Sequence, residues 1–203
     1  MTNEKLVVGC VIMASGQGKR FGSNKLMAEL CGKPLISGSL KVTENLFAQR
    51  FVVTRHQAVA DYCEQNNIDF VVHSFPNRND TVRIGLVQLE QLEPAVTHCL
   101  FAMGDQPLVK RESLEKLLEA VQKEPEYIWR LASDTIDGAP VVFPKRFFPE
   151  LKSLPLGKGG GVLLKKYPEQ VRRVQVLNRV ELLDVDTQED LEKIIEIKQA
   201  LKG

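Results

Sequence analysis

The sequence predicts an α/β fold built on a mostly parallel central sheet, and two observations predict it. Short β-branched apolar runs recur along the chain, and longer amphipathic stretches separate them, the alternation expected of βαβ units. With 203 residues, 43% of them hydrophobic, the chain can bury one sizeable core. No repeat, linker or low-complexity tract interrupts it, so residues 1–203 read as one domain.

Taken in order, Leu6 to Met13 is the first strand, and a glycine-rich turn follows it directly. Phe51 to Thr54, Phe70 to His73 and Cys99 to Met103 are further short, buried strands. Val82, Leu86 and Leu89 share one helical face, as do Leu114, Leu117, Leu118 and Val121, which predicts two crossover helices packed on the sheet. Tyr127 to Leu131 and Pro140 to Phe143 flank the turn-like segment Ser133 to Gly138, predicting a small antiparallel extension. Leu182 to Val185 reads as a final strand, and Thr187 with Asp190 has the spacing of a capping box opening a helix through Leu201.

Charge and cysteines narrow the function classes. With 27 basic and 26 acidic side chains, nothing global advertises a nucleic-acid or membrane partner, so any anion site must be local. Cys10, Cys31, Cys63 and Cys99 lie too far apart for a CxxC redox pair or the usual zinc spacing, and reduced thiols in a cytoplasmic protein are expected. The apolar run Leu6 to Ala14 is too short to span a bilayer and leads into glycines rather than a cleavage site, so no targeting segment is expected.

The strongest chemical signal is Ala14-Ser15-Gly16-Gln17-Gly18-Lys19-Arg20-Phe21-Gly22-Ser23-Asn24-Lys25. It falls at the carboxyl end of the first strand, where α/β sheets bind ligands, and glycines there let backbone N–H groups approach phosphate oxygens. No GxxxxGK(S/T) is present, and Phe21 occupies the third glycine position of the dinucleotide fingerprint, so both of those nucleotide classes recede. What remains is three cations, Lys19, Arg20 and Lys25, within seven residues, suited to a triphosphate whose charge must be neutralised during displacement. Arg20 and Lys25 are the preferred pair; the plain alternative is a turn with solvated lysines joining a strand to a helix.

With the stretch Met13 to Lys25 followed by Gly32-Lys33-Pro34-Leu35-Ile36, the chain resembles the molybdenum-cofactor nucleotidyltransferases, whose signature runs LAxGxSxRMGxxK and then GxPLL. Three further blocks extend the likeness: Asp80-Thr81-Val82-Arg83-Ile84-Gly85-Leu86 is similar to DSVxxGL, Gly104-Asp105-Gln106-Pro107 to GDxP, and Leu183 to Leu191 to the ending DIDTPEDL. Departures are Gly18 for Ser, Phe21 for Met, Gly138-Ala139-Pro140 for a GHP, and Gly157-Lys158-Gly159-Gly160-Gly161 for a GDxG-like element, with Lys158 in place of Asp.

The resemblance implies a three-layer, Rossmann-like nucleotidyltransferase fold, Mg²⁺ as cofactor, CTP or another NTP as donor, and a molybdopterin-type phosphorylated acceptor, with a molybdenum hydroxylase receiving the product. It implies that Ala14, Ser15, Gly16, Gly18, Lys19, Arg20, Lys25, Asp80, Thr81 and Gly104 bind nucleotide, and that Arg20, Lys25 and Asp105 are catalytic. Asp105 and Asp186 would bind the metal, and Lys158, Gly159 and Gly160 the acceptor. The Asp-Val-Asp-Thr ending and the GDxP turn favour CMP transfer over GMP transfer.

Plainer readings stand beside these. Asp105 is also a natural turn former or helix cap, Asp186 a natural N-cap, and Thr81 a cap at the start of its helix. Asp184 shares a face with Asp186 only if the last strand runs through both. The chemistry would be in-line attack by an acceptor phosphate on the α-phosphorus. A phosphate monoester is already largely ionised at neutral pH, so no general base is required. His56, His73 and His98 accordingly read as structural or surface histidines. The rival from another class is a cofactor-binding chaperone that kept the fold and lost turnover.

Overall fold

The computed structural model describes residues 6–200 of the chain. Along it run β1 (Val8–Ala14), β2 (Glu29–Leu30), β3 (Lys33–Pro34), α1 (Ser37–Val42), β4 (Gln49–Thr54), α2 (Gln57–Gln65), β5 (Phe70–Val72) and α3 (Arg78–Glu90). Then come β6 (His98–Met103), α4 (Arg111–Lys123), β7 (Ile128–Ala132), β8 (Asp137–Pro144), α5 (Phe148–Lys152), α6 (Gly161–Lys166), β9 (Val171–Gln175) and α7 (Gln188–Ala200). Leu201, expected as the end of the last helix, lies outside the described residues.

Seven strands form one sheet in the order β5-β4-β1-β6-β8-β7-β9, and β2 pairs with β3 in a small hairpin. β1 runs parallel to β4 and β6, β4 to β5, and β7 to β9. β8 is antiparallel to both β6 and β7, so the expected antiparallel extension is present.

Side-chain alternation along the buried strands makes the fold three-layered. In β1, Cys10, Ile12 and Ala14 point into one apolar cluster and Val11 and Met13 into the other, as a period of two requires. The first cluster takes Leu40 of α1, Val59 and Cys63 of α2, and Leu114, Leu117 and Val121 of α4. The second takes Val82, Leu86 and Leu89 of α3, Phe148 and Leu151 of α5, and Leu163 of α6. Helices therefore cover both faces, and β1 lies at the centre, buried on both. Among the described residues no helix is long and apolar enough to cross a membrane.

One expected strand is absent and an unexpected one is present. Leu182 to Val185 is not a strand: a 3-10 turn over Arg179–Leu182 leads into an extended segment outside the sheet. Its apolar residues are buried for another reason, since Leu182 packs into the first cluster and Val185 into a smaller one with Phe21, Leu35 and Leu191. The last strand is β9, an edge strand whose Arg172 and Arg173 conceal its period. The capping box forms as expected: the Asp190 carboxylate accepts from Thr187 N (2.9 Å) while Thr187 Oγ1 accepts from Asp190 N (3.1 Å).

Candidate active site

The site lies where β1 and β6 end side by side. After β1 the chain turns at Gly18, whose φ of +57° and close approach to the Ser23 carbonyl, 2.6 Å from where a Cβ would stand, exclude a side chain. Phe21 N and Gly22 N both donate to Gly18 O, closing the turn. Buried Phe21 anchors it, and Asn24 Oδ1 accepts from Leu26 N to start a short 3-10 turn that carries Lys25.

That turn sends Lys25 inward. Its Nζ donates to Asp105 Oδ2 (2.7 Å) and Asp186 Oδ1 (2.8 Å), and only 8% of the side chain is exposed, so it is not a solvated lysine. Arg20, 72% exposed, reaches Asp186 Oδ2 at 2.6 Å from the solvent side. Asp105 follows β6, and its backbone oxygen accepts from Val185 N (3.0 Å), which ties the GDxP turn to the segment bearing Asp184 and Asp186. Gln106 Nε2 adds a 2.6 Å bond to Asp184. Asp184 and Asp186 thus belong to a crossing segment rather than a strand, and they do different work: Asp186 holds the cations, Asp184 holds Gln106. The capping alternatives fail as well. Asp105 stands six residues before α4, Thr187 and Asp190 form the cap of α7, and Thr81 is the fourth residue of α3, not its cap.

Burial alone would lower the Lys25 pKa, but the charge and hydrogen bonds of Asp105 and Asp186 outweigh it and raise it. The Lys25 hydrogen bond does most to hold Asp186 below the ordinary carboxylate range. Partial desolvation, then the charges of Asp105 and Asp186, push Asp184 up. Two atoms of this cluster are left over: Asp105 Oδ1 and Gln106 Oε1 are buried with no hydrogen-bond partner.

Two cavities meet here. The smaller, about 260 Å³, is lined by Ser15, Gly16, Lys25, Thr81 and Asp105, together with Gln17, Asn77 and Arg78. The larger, about 760 Å³, has apolar walls from Val82, Phe101, Val141 and Phe143 and a polar rim that includes Arg130, Lys158, Gly159, Gly160 and Asp184. Of the residues singled out from sequence, Gly18, Lys19, Arg20, Asp80 and Asp186 line neither cavity: Arg20 and Asp186 pair beside the smaller one through Lys25, and Asp80 faces Arg83 at 3.6 Å. Ala14 and Gly104 contribute backbone, Gly104 N bonding Met13 O across the strand ends. Arg78, Arg130 and Asn77 carry no sequence signal, because single polar residues outside a motif show their placement only in three dimensions, while Gln17 stands in the glycine turn without having been singled out.

The histidines are structural, two of them close to the site. His73 Nε2 lies 2.9 Å from Ser15 Oγ and 3.4 Å from Thr81 Oγ1. Ser15 Oγ also lies 3.1 Å from Val53 O, and the other His73 ring nitrogen, Nδ1, is buried. Burial lowers its pKa in keeping with a neutral ring. His56 Nε2 braces Gly16 O at 2.7 Å, and His98 lies buried against Pro125 O.

Known proteins share this architecture. A family model described as "MobA-like NTP transferase domain" matches residues 10–172. A "Probable molybdenum cofactor guanylyltransferase" of Aquifex aeolicus (strain VF5) is 27% identical over 194 residues, 93% of this chain and 90% of that protein. The 2-C-methyl-D-erythritol 4-phosphate cytidylyltransferase of Shouchella clausii (strain KSM-K16) is 31% identical over 120 residues, 54% of this chain and 50% of that one. Among solved structures, Rv0371c from Mycobacterium tuberculosis H37Rv superposes with a TM-score of 0.79 at 26% identity, over 95% of this chain and 99% of that one. The protein is a nucleotidyltransferase, and the chain belongs to the MobA-like NTP transferase family.

Proposed function

We propose that this protein transfers CMP from CTP to the terminal phosphate of a molybdopterin-type acceptor and releases pyrophosphate, residues 1–203 acting as one domain. The observation that carries the reading is Lys25, buried between Asp105 and Asp186 on the wall of the smaller cavity, which the larger one adjoins. The smaller cavity, walled by the glycine turn, takes the nucleotide; the larger, apolar with a cationic rim, takes a flat heterocycle carrying a phosphate.

The residues fit a divalent cation. Asp105 offers an unpartnered buried oxygen, and Asp186 stands across Lys25 from it. Among the described residues no group of three His, Cys, Asp or Glu side chains is placed to hold a metal, which suits Mg²⁺, an ion that takes one or two carboxylates and completes its shell with phosphate oxygens and water. Bound there through Asp105 and Asp186, Mg²⁺ would supply charge neutralisation on the triphosphate.

The chain's own groups do the rest. Ser15 and Gly16 border the phosphates, Lys25 and Arg20 turn from their carboxylates to the phosphate oxygens, and Thr81 borders the base and ribose. An acceptor phosphate oxygen then forms its bond to the α-phosphorus as the bond to the bridging oxygen of the leaving pyrophosphate breaks. That oxygen is already ionised, so no side chain need take a proton, in keeping with the neutral, internally bonded His73.

The Asp-Val-Asp-Thr ending and the Shouchella cytidylyltransferase favour CTP. GTP is the second reading, favoured by the Aquifex relative, which the chain matches over far more of its length. Thermal stabilisation with Mg²⁺ and each of CTP, GTP, ATP and UTP separates them, since a ligand at about 100 times its Kd adds roughly 2.7 kcal/mol. A shift confined to CTP is expected; one confined to GTP moves the donor assignment. Mg²⁺-dependent pyrophosphate release with acceptor present tests turnover itself, and its absence would leave a binding protein.

A further inference from the structure

We infer that Arg78 is the acceptor-phosphate clamp of this enzyme, a guanidinium that holds the incoming phosphate at the junction of the two cavities. The inference rests on the two-cavity reading of the site given above.

Arg78 opens α3 and lines both cavities, a position it shares with Met13, Met103 and Gly157 alone. Of these four it is the one with a charge. Three other cations here are committed, Lys25 to Asp105 and Asp186, Arg20 to Asp186, and Arg130 to Asp137 and the Gly138 carbonyl, while the unpaired Lys158 and Lys165 line the larger cavity alone. Among the described residues no hydrogen bond or ion pair forms to the Arg78 guanidinium, although Asp80 and Asp105 belong to the same region. A cation left free between an anionic donor and an anionic acceptor has an evident counter-ion in the substrate, and the planar fork of arginine suits two phosphate oxygens at once.

The surrounding structure borders that exposed side chain closely on one side. Asn79 Oδ1 accepts from Gly157 N at 2.8 Å, pinning the first turn of α3 to the glycine loop. Arg78 then runs over Gly159: a Cβ added there would stand 2.7 Å from Arg78 Cδ and 3.4 Å from Cγ. The glycine is therefore needed for the arginine stem to pass, and the loop's role is to place Arg78 as well as to meet the acceptor. In the transfer step the guanidinium only donates hydrogen bonds. It screens the repulsion between acceptor phosphate and α-phosphate while the new P–O bond forms and pyrophosphate departs, and no proton changes hands.

The test uses the full chain, with 4-methylumbelliferyl phosphate as an aryl phosphate probe for the acceptor cavity, and compares wild type with Arg78→Ala, Arg78→Lys and Gly159→Ala. Loss of a charge-assisted pair predicts about tenfold or more weaker probe binding in Arg78→Ala, partial recovery in Arg78→Lys and an intermediate loss in Gly159→Ala. Because Arg78 also borders the nucleotide cavity, stabilisation by CTP or GTP with Mg²⁺ should fall by a smaller factor than probe binding does in its variants. Where turnover is measured, the loss should fall on the KM for acceptor more than on that for nucleotide. Equal probe binding by wild type and Arg78→Ala, no probe binding by wild type, or a loss of nucleotide stabilisation in Arg78→Ala as large as its loss of probe binding would each overturn the assignment. Probe binding that depends on Arg78 in a protein that neither binds nor turns over any NTP would leave Arg78 standing as an anion clamp and sink the proposed function instead.

Discussion

The two cavities are built on opposite electrostatic plans. Beside the smaller cavity Lys25 sits between two carboxylates and Arg20 caps the outer one, and Arg78, which this cavity shares with the larger one, is the unpaired exception. On the acceptor side Arg78, Lys158 and Lys165 line the wall with no ion pair among the described residues, and Arg130 alone is paired. A latched cluster keeps Lys25 oriented and its carboxylates neutralised before substrate arrives. Spare cations give the second cavity an attraction for an anion that nothing in the protein already satisfies. On the proposed function the contrast implies order: a triphosphate would have to open the latch, whereas an acceptor would meet a surface ready for it.

The largest effect should come from breaking the latch. Asp105→Ala is expected to abolish transfer, lowering kcat by about 1000-fold or more, yet leave the fold intact, because the bond from Val185 N is to the Asp105 backbone oxygen. Lys25→Ala should lower kcat/KM for the nucleotide by about 100-fold, and it also strands Asp105 in a partly buried setting. In both variants aryl phosphate binding should persist. Wild-type turnover in either folded variant, checked by pyrophosphate release and circular dichroism, refutes the assigned roles.

Lys158→Ala probes the open side. Removal of one exposed phosphate contact should raise the KM for acceptor by about tenfold while nucleotide-induced stabilisation stays as in wild type. Were the nucleotide response lost instead, the division between the cavities would be wrong.

A smaller effect, on stability rather than turnover, comes from the strut joining the two sides. Glu181 is fully buried, and its carboxylate accepts from Ser113 Oγ (2.6 Å), Lys110 N (3.1 Å) and Asn178 N (3.3 Å). It thereby fastens the segment that carries Asp184 and Asp186 to the start of α4. Glu181→Ala leaves those donors unsatisfied and should cost about 2 kcal/mol, read as a shift in the urea midpoint. A change within about 0.5 kcal/mol, the range of an ordinary surface substitution, would show that the strut carries no load.

How much of this was legible in the sequence depended on whether a signal was local. β1 and its glycine turn were readable because seven apolar or small residues, buried on both faces, run straight into the turn. α3 and α4 were readable because their buried residues repeat at helical spacing. β9 was not, since an edge strand with two adjacent arginines has no apolar alternation and its partner β7 lies some forty residues earlier. Leu182 to Val185 misled because burial across the end of a sheet produces the same apolar run as burial within it. In the site, Lys25, Asp105 and Asp186 stood in motifs, but that one lysine bridges both carboxylates is a property of the closed fold. Arg78 stood in no motif, and its place between two cavities depends on the loop after residue 155 folding back over α3.

The mildest way to separate the two plans is pH, and the sign follows from the direction of each shift. The Asp186 carboxyl is held below its ordinary range, chiefly by Lys25, so its contribution to stability is fully present above about 3.9 and is lost as pH falls through the lowered folded value. The Lys25 ammonium is raised, so its contribution is present below about 10.4 and is lost as pH rises through the folded value. The latch should therefore be intact across the whole neutral range and fail only at the two extremes. In Asp186→Asn the acid limb of the thermal-midpoint profile should be shallower than in wild type, the effect being modest because Asp186 is partly exposed and its pairing screened. The acceptor side, with no paired carboxylate on Arg78, Lys158 or Lys165, should show no matching change in Lys158→Ala. Acid limbs that coincide for wild type and Asp186→Asn would mean that the cluster holds orientation alone and adds nothing to the stability of the fold.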